Sequence, residues 1–213
     1  MCRGPILAAM FNRITPVNRA LILVNVGVFV LQWLLGPAIE LGFALWPPTT
    51  PVFGVGHFRI WQLLTYGFLH GSVLHIFFNM FALFMFGTAV EQALGSRRYL
   101  IYFLVSVVGA GLMHVIITVA AGLQPVPIIG ASGGVMAVLV AFGMFFPHQR
   151  LIIFPIPVPI KAWIAVILYG LFDLVMGVSQ TNSGIAHFAH IGGLVTGFVM
   201  IRYWKAQARR PRD

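Results

Sequence analysis

Six apolar stretches of roughly bilayer-spanning length dominate this chain and restrict what it can fold into. They run over Ala20–Leu35, Leu74–Leu94, Tyr99–Leu123, Ile128–Phe146, Ala162–Val178 and Ala186–Tyr203. A helix crossing hydrocarbon needs about 20 mostly apolar residues. Inside lipid each backbone N–H and C=O must be satisfied within the spanning structure, which selects helices here. The expected fold is therefore all-α, a polytopic six-helix bundle. Only 8% of the 213 residues are charged, against about 25% in a typical soluble domain, so a soluble globular protein is excluded. The first stretch begins well inside the chain with no small-residue cleavage site after it, so it reads as a span and not a signal peptide.

The formal net charge of +9 is distributed along the chain and does not form the patch that nucleic acid would need. Arg3, Arg13 and Arg19 precede the first span. Arg97 and Arg98 join the second to the third, and Arg150 and Lys161 join the fourth to the fifth. Arg202, Lys205, Arg209, Arg210 and Arg212 follow the sixth. These regions share one side, and only Arg59 lies opposite. The positive-inside rule makes both termini cytoplasmic. The expected organisation is a cytoplasmic segment over 1–19, one membrane domain over 20–204 and a basic tail over 205–213. Short termini without a presequence favour a bacterial cytoplasmic membrane. The single cysteine, Cys2, leaves no internal disulfide and no cysteine metal cluster.

The connection from Gly36 to Ser72 carries Trp46, Phe53, Phe58, Ile60 and Trp61. Its aromatic content places it in the membrane interface on the outer side. Phe154 to Pro159 reads as a stiff cytoplasmic connector, because its three prolines block helix.

Polar side chains within spans are costly and mark functional sites. His75 and Asn79 lie in the second span, Ser132 in the fourth, Asp173 in the fifth and His190 in the sixth. The topology brings His75, Ser132 and His190 within about two turns of the outer face, at ~1.5 Å rise per residue. Ser132 lies in Gly130-Ala131-Ser132-Gly133-Gly134. A serine at a helix start has unpaired backbone N–H groups beside it, suited to stabilising an oxyanion. The competing reading is a serine that caps the helix. His190 lies above Gly193 and Gly197, a small-residue face that permits close helix contact. Packed against the start of the fourth span, it becomes the base that a serine nucleophile needs. His187, one turn outward, is the rival base, and the paired glycines after His190 favour His190. His75 and Asn79 share a helix face at i, i+4, either as oxyanion donors or as interhelical hydrogen bonders. The four acids are Glu40, Glu91, Asp173 and Asp213. None is an evident third catalytic member, and Asp173 is read as structural, so the chemistry is a Ser–His dyad. With no inward carboxylate or cysteine to complete a histidine site, no metal and no cofactor are expected.

From Trp61 to Gly197 the chain resembles the rhomboid intramembrane proteases. Gly130-Ala131-Ser132-Gly133 looks like the family's nucleophile motif, and Ala189-His190-Ile191-Gly192-Gly193 looks like its histidine motif. His70-Gly71-Ser72-Val73-Leu74-His75-Ile76-Phe77-Phe78-Asn79 is similar to the start of its second helix. Ala89-Val90-Glu91, Leu94-Gly95-Ser96 and Phe172-Asp173-Leu174 also match family patterns. The resemblance implies a six-helix rhomboid-like bundle with an interfacial first outer loop, and a serine endopeptidase without cofactor. Its substrates would be membrane proteins cleaved in or near a transmembrane segment, entering near the second and fifth spans. The site would open toward the outer face, with Gly130, Gly133, His75 and Asn79 binding the substrate carbonyl. Two positions depart from the pattern. Gln62 follows Trp61 where the family often has arginine, which bears on loop packing. Met136 stands where a tyrosine or phenylalanine often stacks on the histidine, which bears on the orientation of His190. The alternatives are an inactive rhomboid-like protein that binds membrane proteins, and a small transporter, which would need a polar path through the midplane.

Overall fold

The computed structural model describes residues 14–49, 57–153, 156–179 and 187–208. The first span forms α1 (Pro16–Leu35), begun by a proline whose missing N–H costs a helix start nothing. The outer connection contributes α2 (Ala38–Phe43), α3 (Gln62–Thr65) and a 3-10 turn, Tyr66–Phe68. The second span is one rod, α4 (Val73–Ala82) and α5 (Thr88–Leu94) joined through a π-helical turn over Leu83–Gly87. Then come α6 (Ser96–Ala120), α7 (Ser132–Phe145), β1 (Arg150–Ile153), β2 (Ile156–Lys161), α8 (Ala162–Val178) and α9 (His187–Ala208). The rods of α1, α4–α5 and α6 are long and apolar enough to cross a membrane, while α7 and α8 are shorter apolar helices. The chain is thus a polytopic helical bundle. Cys2, Arg3, Arg13, Phe53, Phe154, Pro155, Ala186, Arg209, Arg210, Arg212 and Asp213, which figure in the sequence reading, lie outside the described residues.

At the centre stands α7. Ten of its 14 residues are buried, from Gly133 to Gly143. Small side chains make this possible, because α9 can then approach α6 and α7 at backbone distance. A Cβ on Gly193 would collide with the carbonyl of Gly133, and one on Gly197 would stand 2.8 Å from the Ala137 Cβ. The peripheral helices turn Trp33, Leu34, Phe78, Phe172 and Val175 outward, where acyl chains are as good a solvent as protein.

One polar network joins α1, α5 and α6 inside the bundle. Glu91 accepts hydrogen bonds from the backbone N–H groups of Val17 (3.2 Å) and Asn18 (2.7 Å) and from the Ser96 hydroxyl (2.6 Å). A carboxylate thereby meets the positive end of the α1 dipole. Asn18 in turn donates to the Leu83 carbonyl at the π turn and accepts from the Tyr99 hydroxyl.

The outer connection is a folded structure around a small core of Ala44, Trp46 and Leu69. Gln62 organises it. Its Oε1 accepts from the N–H of Arg59 (3.0 Å) and Trp46 (3.4 Å), and its Nε2 donates to the carbonyls of His57 (3.1 Å) and Gly42 (3.3 Å). The Trp61-Gln62 departure therefore leaves the loop packed, with a neutral amide as its hub. Leu45 then pairs with Ile128 in an antiparallel bridge, which explains why the fourth helix starts at Ser132 and not at Ile128.

The proline-rich connector differs from expectation. It forms an antiparallel hairpin, with Arg150 opposite Lys161 and Leu151 opposite Ile160. Pro157 and Pro159 are two residues apart in β2, so the missing N–H groups fall on one edge of the strand and leave the other to pair.

Candidate active site

The approach to Ser132 is held from outside. Gly130 has φ of 132°, a backbone conformation that side chains disfavour, and its N–H donates to the Tyr66 carbonyl at 2.9 Å. Tyr66 is itself fixed by a 2.7 Å hydrogen bond from its hydroxyl to the Val107 carbonyl. Ala131 occupies the N-cap of α7 without side-chain capping, and Ser132 is the first helical residue. The serine is therefore not the cap. Its Oγ lies 2.8 Å from Nε2 of His190.

His190 is buried, and Asp173 is almost completely so. His190 Nδ1 lies 3.2 Å from both carboxylate oxygens of Asp173. An ionised carboxylate only accepts, so Nδ1–H donates to it and Nε2 is left to accept from the Ser132 hydroxyl. This tautomer suits a general base. His187 Nδ1 lies 2.7 Å from Oδ1 of the same carboxylate, while the imidazole set against Ser132 Oγ is that of His190.

Asp173 stands beside the expected Ser132–His190 pair as a further polar group. It is also an inward carboxylate next to both histidines, where none was expected. The sequence cue was one of depth alone: it is the sole acid in the fifth span, five residues from the outer end of a helix whose neighbour carries both histidines. The aromatic ring beside His190 also comes from α8. Tyr169 lies 6.5 Å from it, tilted by 46°, whereas Met136 is buried in the main core.

The structure brings His75 to the same place. Its ring closes over Gly130, where a Cβ would stand 2.7 Å from the imidazole Nε2. Ser72 caps that helix by accepting from the His75 N–H at 3.1 Å. Asn79 is buried one turn further along and donates to the His75 carbonyl at 3.1 Å. Among the described residues no hydrogen bond joins Asn79 to Ser132 or His190. His70 stands edge-on to His75, with ring centroids 5.0 Å apart. Burial, and then the charge of His75, push the His70 pKa down to about 4. Gly133, Gly193 and Gly197 line the contact that sets the separation of α7 and α9.

A rhomboid domain model matches residues 57–206. Rhomboid protein 1, mitochondrial, of Saccharomyces cerevisiae is 31% identical over 147 residues, which cover 68% of this chain and 42% of that protein. Rhomboid protease GlpG of Klebsiella pneumoniae is 27% identical over 209 residues, covering 93% of this chain and 66% of that protein. This chain spans less than two thirds of the length of either.

Proposed function

The chain belongs to the rhomboid family, and from that premise we propose that it is an intramembrane serine endopeptidase. Its substrates are membrane proteins, cut in or near a transmembrane segment. The observation that carries the reading is the 2.8 Å contact between Ser132 Oγ and His190 Nε2 at the N-terminus of α7.

The steps follow from that contact. A peptide bond within a regular helix is hydrogen-bonded and covered, so the substrate unwinds before attack. Ser132 Oγ bonds to the scissile carbonyl carbon as its proton passes to His190 Nε2. The oxyanion is met by the first backbone N–H groups of α7 and by side-chain donors from His75 and Asn79. Gly130 was expected to leave room for the substrate backbone, but its space is taken by the His75 ring, and Gly133, expected to do the same, is where α6 and α9 pack against the start of α7. The imidazolium faces Asp173, which supports its charge and fixes its orientation. It gives its proton to the leaving amine as the C–N bond breaks. Water then attacks the acyl-enzyme, with His190 again accepting a proton, and releases the new carboxylate.

The basic residues support a cytoplasmic location for both termini and a site opening to the opposite, outer face. The membrane is a bacterial inner membrane on this reading, and the bundle over 20–204 is the catalytic unit. A fluorophosphonate probe tests the nucleophile. It labels Ser132 in the unmutated chain and loses that label in His190→Ala. A well-folded chain that refuses the probe is instead a rhomboid-like binder of membrane proteins.

A further inference from the structure

Asp173 serves two imidazoles at once. Its Oδ1 lies 2.7 Å from His187 Nδ1 and 3.2 Å from His190 Nδ1. One ligand atom from each of the three residues falls within 4.8 Å of the others. All three are buried. His187 and His190 are i, i+3 on α9 and so share a face, while Asp173 reaches them from α8. Orienting a base needs one imidazole, and the proteolytic steps above give His187 nothing to do.

We propose that Asp173, His187 and His190 form a binding site for a divalent transition-metal ion of the zinc type, and that its occupation silences Ser132. The silencing, though not the binding, rests on His190 being the base.

The donor set decides the class of ion. Two imidazole nitrogens and one carboxylate oxygen suit Zn²⁺ and its neighbours Co²⁺, Ni²⁺ and Cu²⁺. Ca²⁺ and Mg²⁺ prefer oxygen-only shells. Zinc bonds of about 2.0–2.2 Å in a tetrahedron put ligand atoms roughly 3.3 Å apart. The two carboxylate–imidazole separations of 2.7 and 3.2 Å are near that spacing, and all three ligand atoms lie within 4.8 Å of one another, so binding draws the two imidazoles around the carboxylate. A fourth position is left for water.

The effect on catalysis follows from the tautomer. A neutral imidazole has one proton and one lone pair. When the metal takes the Nδ1 lone pair, the ring keeps its proton on Nε2, with no net proton released. His190 Nε2 then donates to Ser132 Oγ and cannot accept from it. The nucleophile loses its base while Ser132 stays in place.

The test uses the purified 213-residue chain in detergent, with Co²⁺ as the spectroscopic probe and Zn²⁺ as competitor. The expected result is saturable 1:1 Co²⁺ uptake with visible d–d absorption, alike in the unmutated chain and in Ser132→Ala, and lost on adding Zn²⁺. His187→Ala and Asp173→Asn weaken the uptake by roughly tenfold or more. X-ray absorption on the Zn²⁺-loaded unmutated chain, which needs no variant, finds two imidazoles in the shell. Absent uptake, fewer than two imidazoles, or unchanged affinity in both variants overturns the site. In a peptide-cleavage assay Zn²⁺ stops the unmutated chain, a chelator restores it, and His187→Ala needs roughly tenfold more Zn²⁺ relative to its own metal-free rate. A chain that cleaves but takes up no Co²⁺ overturns the metal site alone. One that binds Co²⁺ yet never cleaves overturns the protease reading alone.

Discussion

His190 Nδ1 stands 3.2 Å from each carboxylate oxygen of Asp173, across the boundary between α9 and α8. The contact gives the imidazole a defined tautomer and a countercharge, two properties that a serine and a histidine alone would leave to solvent.

Asp173→Asn separates the orienting role from mere packing. An amide of the same shape removes the countercharge and can hold the ring in the wrong tautomer. The expected loss is in kcat, by about 10²-fold or more, with KM little changed and the melting temperature within a few degrees of the unmutated chain. A KM effect at constant kcat would assign Asp173 to substrate binding instead.

Gly193→Ala tests the spacing between α7 and α9. The added methyl meets the Gly133 carbonyl, one residue after Ser132. Overpacking of this kind costs about 1–3 kcal/mol. The melting temperature should fall, and cleavage should fall further than the loss of folded protein accounts for.

Much of this was legible in the sequence for physical reasons. Apolar length alone announces the spans, because lipid imposes it. The Gly193 and Gly197 face, and the shared depth of Ser132, His190 and His75, followed from helix period and topology. Contacts that depend on rotation about a helix axis were not legible. Asp173 could be placed at a depth on α8, but nothing local shows that it turns toward α9. The role of Gln62 depends on four backbone groups spread from Gly42 to Arg59, which no periodicity links. The hairpin after Arg150 was hidden because prolines announce only that helix is absent.

Gln62→Ala should weaken the outer connection and spare the chemistry. It strands two carbonyls and two N–H groups, and each buried polar group left unpaired costs about 1–3 kcal/mol. Proteolytic nicking near His57, read by mass spectrometry, should rise, while fluorophosphonate labelling of Ser132 persists at low temperature. Unchanged susceptibility to nicking would show that the loop has other support.

His70 gives stability a pH dependence of known sign. Its folded pKa of about 4 lies below the ordinary value near 6.5. Between these limits the unfolded chain binds a proton that the folded chain refuses, so acidification through that window destabilises the fold. The melting midpoint should drop as pH falls from about 7 toward 4.5. In His70→Asn the drop should be shallower. Parallel curves for the two proteins would remove His70 from the account.

Cleavage of a fluorogenic transmembrane peptide in liposomes, by the unmutated chain beside Ser132→Ala and His190→Ala, reads out the Ser132–His190 pair itself. The unmutated chain alone should cleave, with both variants still folded and inserted. Cleavage that survives in a folded Ser132→Ala would contradict the pair's role.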